Sequence, residues 1–127
     1  MSKFSEKVIE IVKMVPAGKV VSYGQVSLMA GIPRAAIAVG SILHENGNNT
    51  PWWRVISSSG RISTSCEEHT AWMQKDLLER EGVQVKKHLK IDIEKYRFRP
   101  DPSLLKSLEL DDRYIEEVTQ KYFSNHS

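Results

Sequence analysis

Ser22-Tyr23-Gly24-Gln25-Val26-Ser27-Leu28-Met29-Ala30-Gly31-Ile32-Pro33-Arg34-Ala35-Ala36-Ile37 is the stretch whose reading decides the fold. Ser22, followed three residues later by Gln25, has the form of a capping box. In that arrangement the serine accepts from the amide three residues on, and the glutamine reaches back. A short helix is predicted from there to Ala30, with Gly31 supplying a left-handed stop. Pro33 suits a first helical turn, so a second helix is predicted over 34–45, ended by Asn46-Gly47-Asn48-Asn49. Two helices joined by a glycine-containing turn read as a helix-turn-helix, whose second helix commonly enters a DNA groove.

Upstream, Val8, Ile11, Val12 and Val15 recur at helical spacing and predict a helix over 5–15 that Pro16 stops. A turn at 16–19 and a short extended piece, Val20-Val21, lead into Ser22. Downstream, residues 50–63 read as extended chain folded back at Ser57-Ser58-Ser59-Gly60. A helix over 67–81 follows, with Ala71, Met73, Leu77 and Leu78 as its apolar surface and Gly82 closing it. Leu89, Ile91 and Ile93 alternate strictly and predict a strand within 83–98. Asp101-Pro102 is a good N-cap and first helical position; Leu104, Leu108, Ile115, Val118 and Tyr122 then predict one or two terminal helices. The expected fold is mostly α with a small β element, a winged-helix-like helix-turn-helix. Residues 1–100 are expected to form the helix-turn-helix domain and 101–127 a helical extension, docked on the body or offered to a partner.

The 127 residues suffice for one domain with one core, and 40% apolar with 27% charged residues is an ordinary globular balance. No apolar run is long enough to span a bilayer, and residues 1–15 carry glutamates and lysines where a signal peptide would be apolar. No membrane association is expected, and the location is expected to be nuclear or cytoplasmic. The single cysteine, Cys66, rules out an internal disulfide, and Glu67-Glu68 beside it disfavours a thiolate. The four histidines lack ligand spacing, so neither a metal nor a cofactor is expected. A net charge of +2 permits nucleic-acid binding without arguing for it; clustering of the basic residues matters more. The acidic residues of 109–112 and Glu116-Glu117 argue that the tail is not a DNA surface.

Three separated motifs stand out: Val21-Ser22-Tyr23-Gly24-Gln25, Pro33-Arg34-Ala35-Ala36-Ile37-Ala38-Val39-Gly40 and Pro51-Trp52-Trp53-Arg54-Val55-Ile56. With Lys95-Tyr96-Arg97-Phe98-Arg99-Pro100 they resemble, in order, the DNA-binding domain of O6-alkylguanine-DNA alkyltransferases over residues 4–100. The alkyltransferase active-site motif is Pro-Cys-His-Arg, in which a thiolate takes the alkyl group from guanine oxygen. Trp52 stands at the cysteine position and Trp53 at the histidine position. An indole nitrogen only donates, and covalent transfer needs an activated sulfur or oxygen. Tryptophan at that cysteine position is the mark of the alkyltransferase-like proteins. That resemblance implies a non-enzymatic sensor, acting as a monomer, that binds double-stranded DNA containing O6-alkylguanine and flips the base without dealkylating it. It also implies delivery of the lesion to nucleotide excision repair proteins.

By the same resemblance, Tyr23 presses on the phosphate 3′ to the target and helps rotate the nucleotide, where amides at a helix start also favour a phosphate. Its other reading is a tyrosine half packed into the core. Ile37 takes the place of the family's arginine finger; it cannot hydrogen-bond, but an aliphatic wedge still unstacks a base step. Arg34, three residues earlier on the same predicted helical face, is placed to reach a phosphate or the gap. Ala36 and Gly40 allow close approach to the DNA backbone or, equally, close helix packing. Trp52 and Trp53 line the lesion pocket or are simply core aromatics. Arg54 orders the pocket loop, through an ion pair or a DNA contact. Ser63 and Ser65 lie in the loop expected to cover the pocket, where they are candidates to contact the base edge. Asn46 pins the loop leading to it or merely ends a helix. Glu81 matches the glutamate that holds the alkyltransferase histidine; with Trp53 there the relay cannot operate, and a structural role is expected. Two other classes remain: a DNA-binding or protein-interaction module that has lost lesion recognition, which Ile37 and the tail favour, and an alkyltransferase using another residue.

Overall fold

Val8, Ile11 and Val12 lie fully buried along one face of the first helix, α1 (Lys3–Met14), and the rest of the chain is laid against that stripe. The computed structural model describes residues 2–62 and 70–123. Ser2 caps α1 by accepting from the Ser5 N–H at 3.1 Å, so the helix begins two residues earlier than its apolar spacing alone implies. It ends because Pro16 disfavours the helical region for the residue before it; Val15 takes φ −71° and ψ 117°.

A two-stranded parallel sheet follows. β1 (Val21–Ser22) pairs with β2 (Val55–Ile56), Val21 opposite Val55 and Ser22 opposite Ile56. Val20 continues the edge: its N–H donates to the Tyr96 carbonyl at 2.9 Å and its carbonyl accepts from Phe98 at 2.8 Å. Ser22 then caps α2 (Tyr23–Met29), accepting from the Gln25 N–H at 3.0 Å as expected. Gln25 itself does not reach back. Its buried amide donates to the Phe98 carbonyl and accepts from Arg97, both at 2.8 Å, tying the start of α2 to the far end of the domain.

Gly31, at φ +85°, ends α2 as the sequence implies. The second helix, α3 (Ala36–Asn46), starts later than expected. The buried Ser27 explains the delay: its hydroxyl donates to the Ile32 carbonyl and accepts from the Ala35 N–H at 2.9 Å. Pro33 and Arg34 are therefore held in the turn, with Arg34 at φ +66°, and neither belongs to the helix. Val39, Ile42 and Leu43 form the buried face of α3. Asn46 donates back to the Ile42 carbonyl at 3.2 Å.

The next helix, α4 (Ala71–Arg80), is capped by Thr70; its expected start at 67 falls outside the described residues. Its buried residues are Gln74 and Leu78, whereas Met73, expected on the apolar face, is 45% exposed. Residues 83–98 do not form the expected strand. A short 3-10 turn (Lys87–Leu89) and the helix α5 (Ile93–Tyr96) occupy the segment instead. The alternation reflects two crossing bonds, from Ile62 N–H to the Leu89 carbonyl (3.0 Å) and from Ile91 N–H to the Gly60 carbonyl (2.8 Å). Gly60 has to be glycine there: at φ +85°, a Cβ would lie 2.3 Å from the Ile91 oxygen. This crossing closes a second core of Val20, Ile56, Ile62, Leu78, Val83, Ile91 and Ile93.

Asp101 caps α6 (Pro102–Ser107), accepting from Leu104 N–H at 2.8 Å, and α7 (Asp112–Val118) runs into a π turn (Thr119–Phe123). Leu105, Leu108, Ile115 and Val118 join Val8, Ile11, Val26, Met29 and Val39 in the first core. The Tyr114 hydroxyl donates to the Leu28 carbonyl at 2.6 Å, and Lys7 donates to the Leu108 carbonyl at 2.9 Å. Residues 101–123 are thus docked on the body, the first of the two arrangements the sequence left open. The expected class, mostly helical with a small β element and a helix-turn-helix, is the fold observed.

Candidate nucleic-acid interface

α3 carries the outward face of the helix-turn-helix. Burial of Val39, Ile42 and Leu43 turns Ile37 and Ala38 to solvent, and Ile37 is 90% exposed. Among the described residues nothing covers this apolar side chain at the start of the helix. Gly40 is half-buried beside Tyr23: a Cβ at Gly40 would meet Tyr23 Cε1 at 3.8 Å, an ordinary contact. Packing within the protein therefore does not demand glycine at 40. Tyr23, first residue of α2, is half-buried against the first core. Ala36 begins α3, and Arg34 is exposed in the turn before it. The common helical face expected for Arg34 and Ile37 does not exist, because the Ser27 bonds keep Arg34 out of the helix.

Trp52–Arg54 forms a single 3-10 turn between α3 and β2. The two indoles meet edge to face, centroids 6.0 Å apart and planes at 88°. Trp53 donates its indole N–H to Glu81 Oε2 at 3.0 Å. Arg54 grips the same carboxylate through Nε (3.0 Å to Oε1) and Nη2 (2.6 Å to Oε2), and its Nη1 donates to the Val15 carbonyl at 2.8 Å. Its guanidinium carbon also lies 5.3 Å from the Trp53 ring centre. All three guanidinium nitrogens are engaged within the protein, so the ion pair is the arrangement present.

Gly18 N–H supplies a further donor to Glu81 at 3.2 Å. Burial alone would raise the Glu81 pKa, but the bonds from Arg54, Trp53 and Gly18 together outweigh it and hold the carboxyl below its ordinary value. Glu81 thus has the structural role expected of it, and it is bonded to position 53 as well as to Arg54. What is lost is the relay, since an indole has no second nitrogen to take a proton from position 52.

One residue of this arrangement is absent from the sequence reading. Gln74, buried on α4, donates through Nε2 to the carbonyls of both Trp53 and Val55 at 2.9 Å. The available signal was its spacing of four from Leu78, which puts the amide on the buried stripe. Ser63, Ser65 and Cys66 lie outside the described residues.

Residues 3–83 match the family described as 6-O-methylguanine DNA methyltransferase, DNA binding domain. The chain belongs to this family. It is 37% identical over 102 residues to a DNA base-flipping protein of Vibrio parahaemolyticus, covering 79% of this chain and all of that one. It is 35% identical over 106 residues to alkyltransferase-like protein 1 of Schizosaccharomyces pombe, covering 79% of this chain and 98% of the relative. The crystal structure of S. pombe Atl1 with damaged DNA containing O6-carboxymethylguanine superposes with a TM-score of 0.72. That match has 34% identity and covers 79% of this chain and 98% of that one. The resemblance noted from the three motifs is therefore a family relationship.

Proposed function

We propose that this protein is a non-enzymatic sensor of O6-alkylguanine in duplex DNA. It binds through the minor groove, rotates the damaged base out of the stack and holds it beside Trp52 without taking the alkyl group. The observation that carries the reading is the pair Trp52–Trp53: the turn is braced by Glu81, Arg54 and Gln74, yet its leading residue is an indole with no nucleophile. A flipped base needs an aromatic or apolar wall with a few polar groups at its edge. The names of the relatives, a base-flipping protein and an alkyltransferase-like protein, support the same reading.

Each neighbouring residue has a part in that scheme. Tyr23 bears on the phosphate 3′ to the target, and the small residues Ala36 and Gly40 admit the sugar-phosphate backbone. That Gly40 is not required by internal packing supports its role there. Ile37 enters the stack as an apolar wedge, which offsets an unstacking cost of about a few kcal/mol per step. Arg34 reaches a phosphate from the turn. Arg54 holds the pocket loop in place from behind. The bound lesion is then offered to nucleotide excision repair proteins.

Two measurements on one sample test the scheme. A 2-aminopurine placed next to O6-methylguanine should brighten on binding, and intact-protein mass after incubation should show no added methyl group. Tyr23→Ala should abolish the brightening while the circular dichroism spectrum stays that of the folded protein. Binding without brightening would refute flipping; an added methyl would refute the missing chemistry. Ile37 favours one second reading, a DNA-binding module without lesion selectivity, because no hydrogen bond to the orphaned base is available from it.

A further inference from the structure

A groove of about 510 Å³ is lined by Arg61, Trp72, Lys75, Lys86, Lys87 and His88 among others, with no acidic residue among the described residues of its wall. None of these residues is used in the lesion site described above. Lys75 is paired with Glu79 at 3.1 Å, but Arg61, Lys86 and Lys87 have no ion pair among the described residues. Trp72, on α4, is 70% exposed.

The frame that holds these cations is ordered by the backbone. Arg61 and Lys86 each bridge Lys90 in antiparallel fashion, and the Lys86 N–H donates to the Lys90 carbonyl at 2.7 Å. The chain between them takes an unusual path, with His88 at φ 62° and Leu89 at φ 57°. Left-handed conformations at two successive non-glycine residues are disfavoured, and such strain persists where the surroundings impose it, often at binding sites. Like charges gathered on such a frame also repel one another. That repulsion is offset when a polyanion occupies the groove.

We infer that this groove binds a single-stranded segment of nucleic acid. Its phosphates lie along Arg61, Lys86 and Lys87, and a base stacks on Trp72. Cations that track a backbone beside an exposed aromatic ring are the two elements by which single strands are held without sequence preference. An acidic peptide would satisfy the charges but leave the indole face without a planar partner, so nucleic acid is the better fit. The inference does not rest on lesion recognition.

The test uses the full chain and a fluorescent oligothymidylate of about 12 nucleotides, followed by anisotropy at several salt concentrations. The wild type should bind it, with affinity falling as salt rises. K86E/K87E should weaken binding by about tenfold or more and lower the salt dependence. Trp72→Ala should weaken it by about tenfold, and Tyr23→Ala should leave it unchanged. The two groove variants should keep wild-type binding of an O6-methylguanine duplex. These side chains are exposed, and circular dichroism should show the fold intact. Unchanged oligothymidylate binding in K86E/K87E would overturn the inference, as would loss of that binding in Tyr23→Ala, which would place the strand in the lesion site. So would equal displacement of the oligonucleotide by polyglutamate of matched charge.

Discussion

The Trp53 indole and the Glu81 carboxylate are joined by a hydrogen bond of 3.0 Å, and Arg54 bonds both oxygens of the same carboxylate. This arrangement explains how a turn built around a nucleophile can persist without one. Trp53 supplies a donor at position 53, so the acceptor at 81 is satisfied and the turn keeps its shape with an indole at 52. Tryptophan at 53 is thus a structural replacement that a smaller apolar residue would not match.

Glu81→Gln keeps the side-chain size but leaves the Arg54 charge, with only 15% of its side chain exposed, without a counterion. The pair lies between surface and core, so a loss of about 2 kcal/mol at neutral pH is expected. The Glu81 pKa is lowered in the fold, so the pair's contribution is complete above the ordinary value of 4.5 and fades as pH falls through the lower folded value. Urea denaturation at neutral and acid pH should show the gap between wild type and variant closing below that value. A gap independent of pH would contradict the assignment.

Gln74→Leu should cost about 2–3 kcal/mol, because the carbonyls of Trp53 and Val55 both lose their donor inside the protein. A thermal melt measures the loss directly. Lesion binding should fall further than stability explains, since the Trp52 turn is no longer pinned.

Ile37→Arg should leave stability within about 0.5 kcal/mol, as expected of a surface substitution, because this side chain is 90% exposed. Affinity for O6-methylguanine duplex should rise by about tenfold through a charge-assisted hydrogen bond in the gap left by the flipped base. Equal gains for damaged and undamaged duplex would mean that the added charge acts only on phosphates, and would favour the module without lesion selectivity.

Deleting 101–127 should cost about 4 kcal/mol or more, since Leu105, Leu108, Ile115 and Val118 leave the first core together. The family match ends at residue 83 and does not cover this segment. Soluble expression and the melting temperature of residues 1–100 measure it.

What could be read from the sequence was local. Ser22 before α2, Gly31 after it and Asp101-Pro102 before α6 act within a turn of where they stand, and each sits where its chemistry places it. What could not be read depended on side-chain partners beyond the adjoining helical turn, some of them distant in sequence. Ser27 delays α3 by bonding across the turn, and Gln25 turns from its cap to Phe98 and Arg97. The alternation of Leu89, Ile91 and Ile93 mimics a strand because the segment is pinned against 60–62, a contact that no period in the sequence announces. At the candidate site, the motif order singled out Tyr23, Ile37 and Trp52 as candidates, while the Trp53–Glu81 bond and Gln74 needed the packing of α4 against the turn.

The central claim, recognition of an alkylated guanine without repair, is met most directly by equilibrium binding to two duplexes that differ only in O6-methylguanine or guanine at one position, at several salt concentrations. The account predicts tighter binding to the damaged duplex at every salt concentration, with both affinities falling as salt rises. Equal affinity for the two duplexes throughout would contradict it.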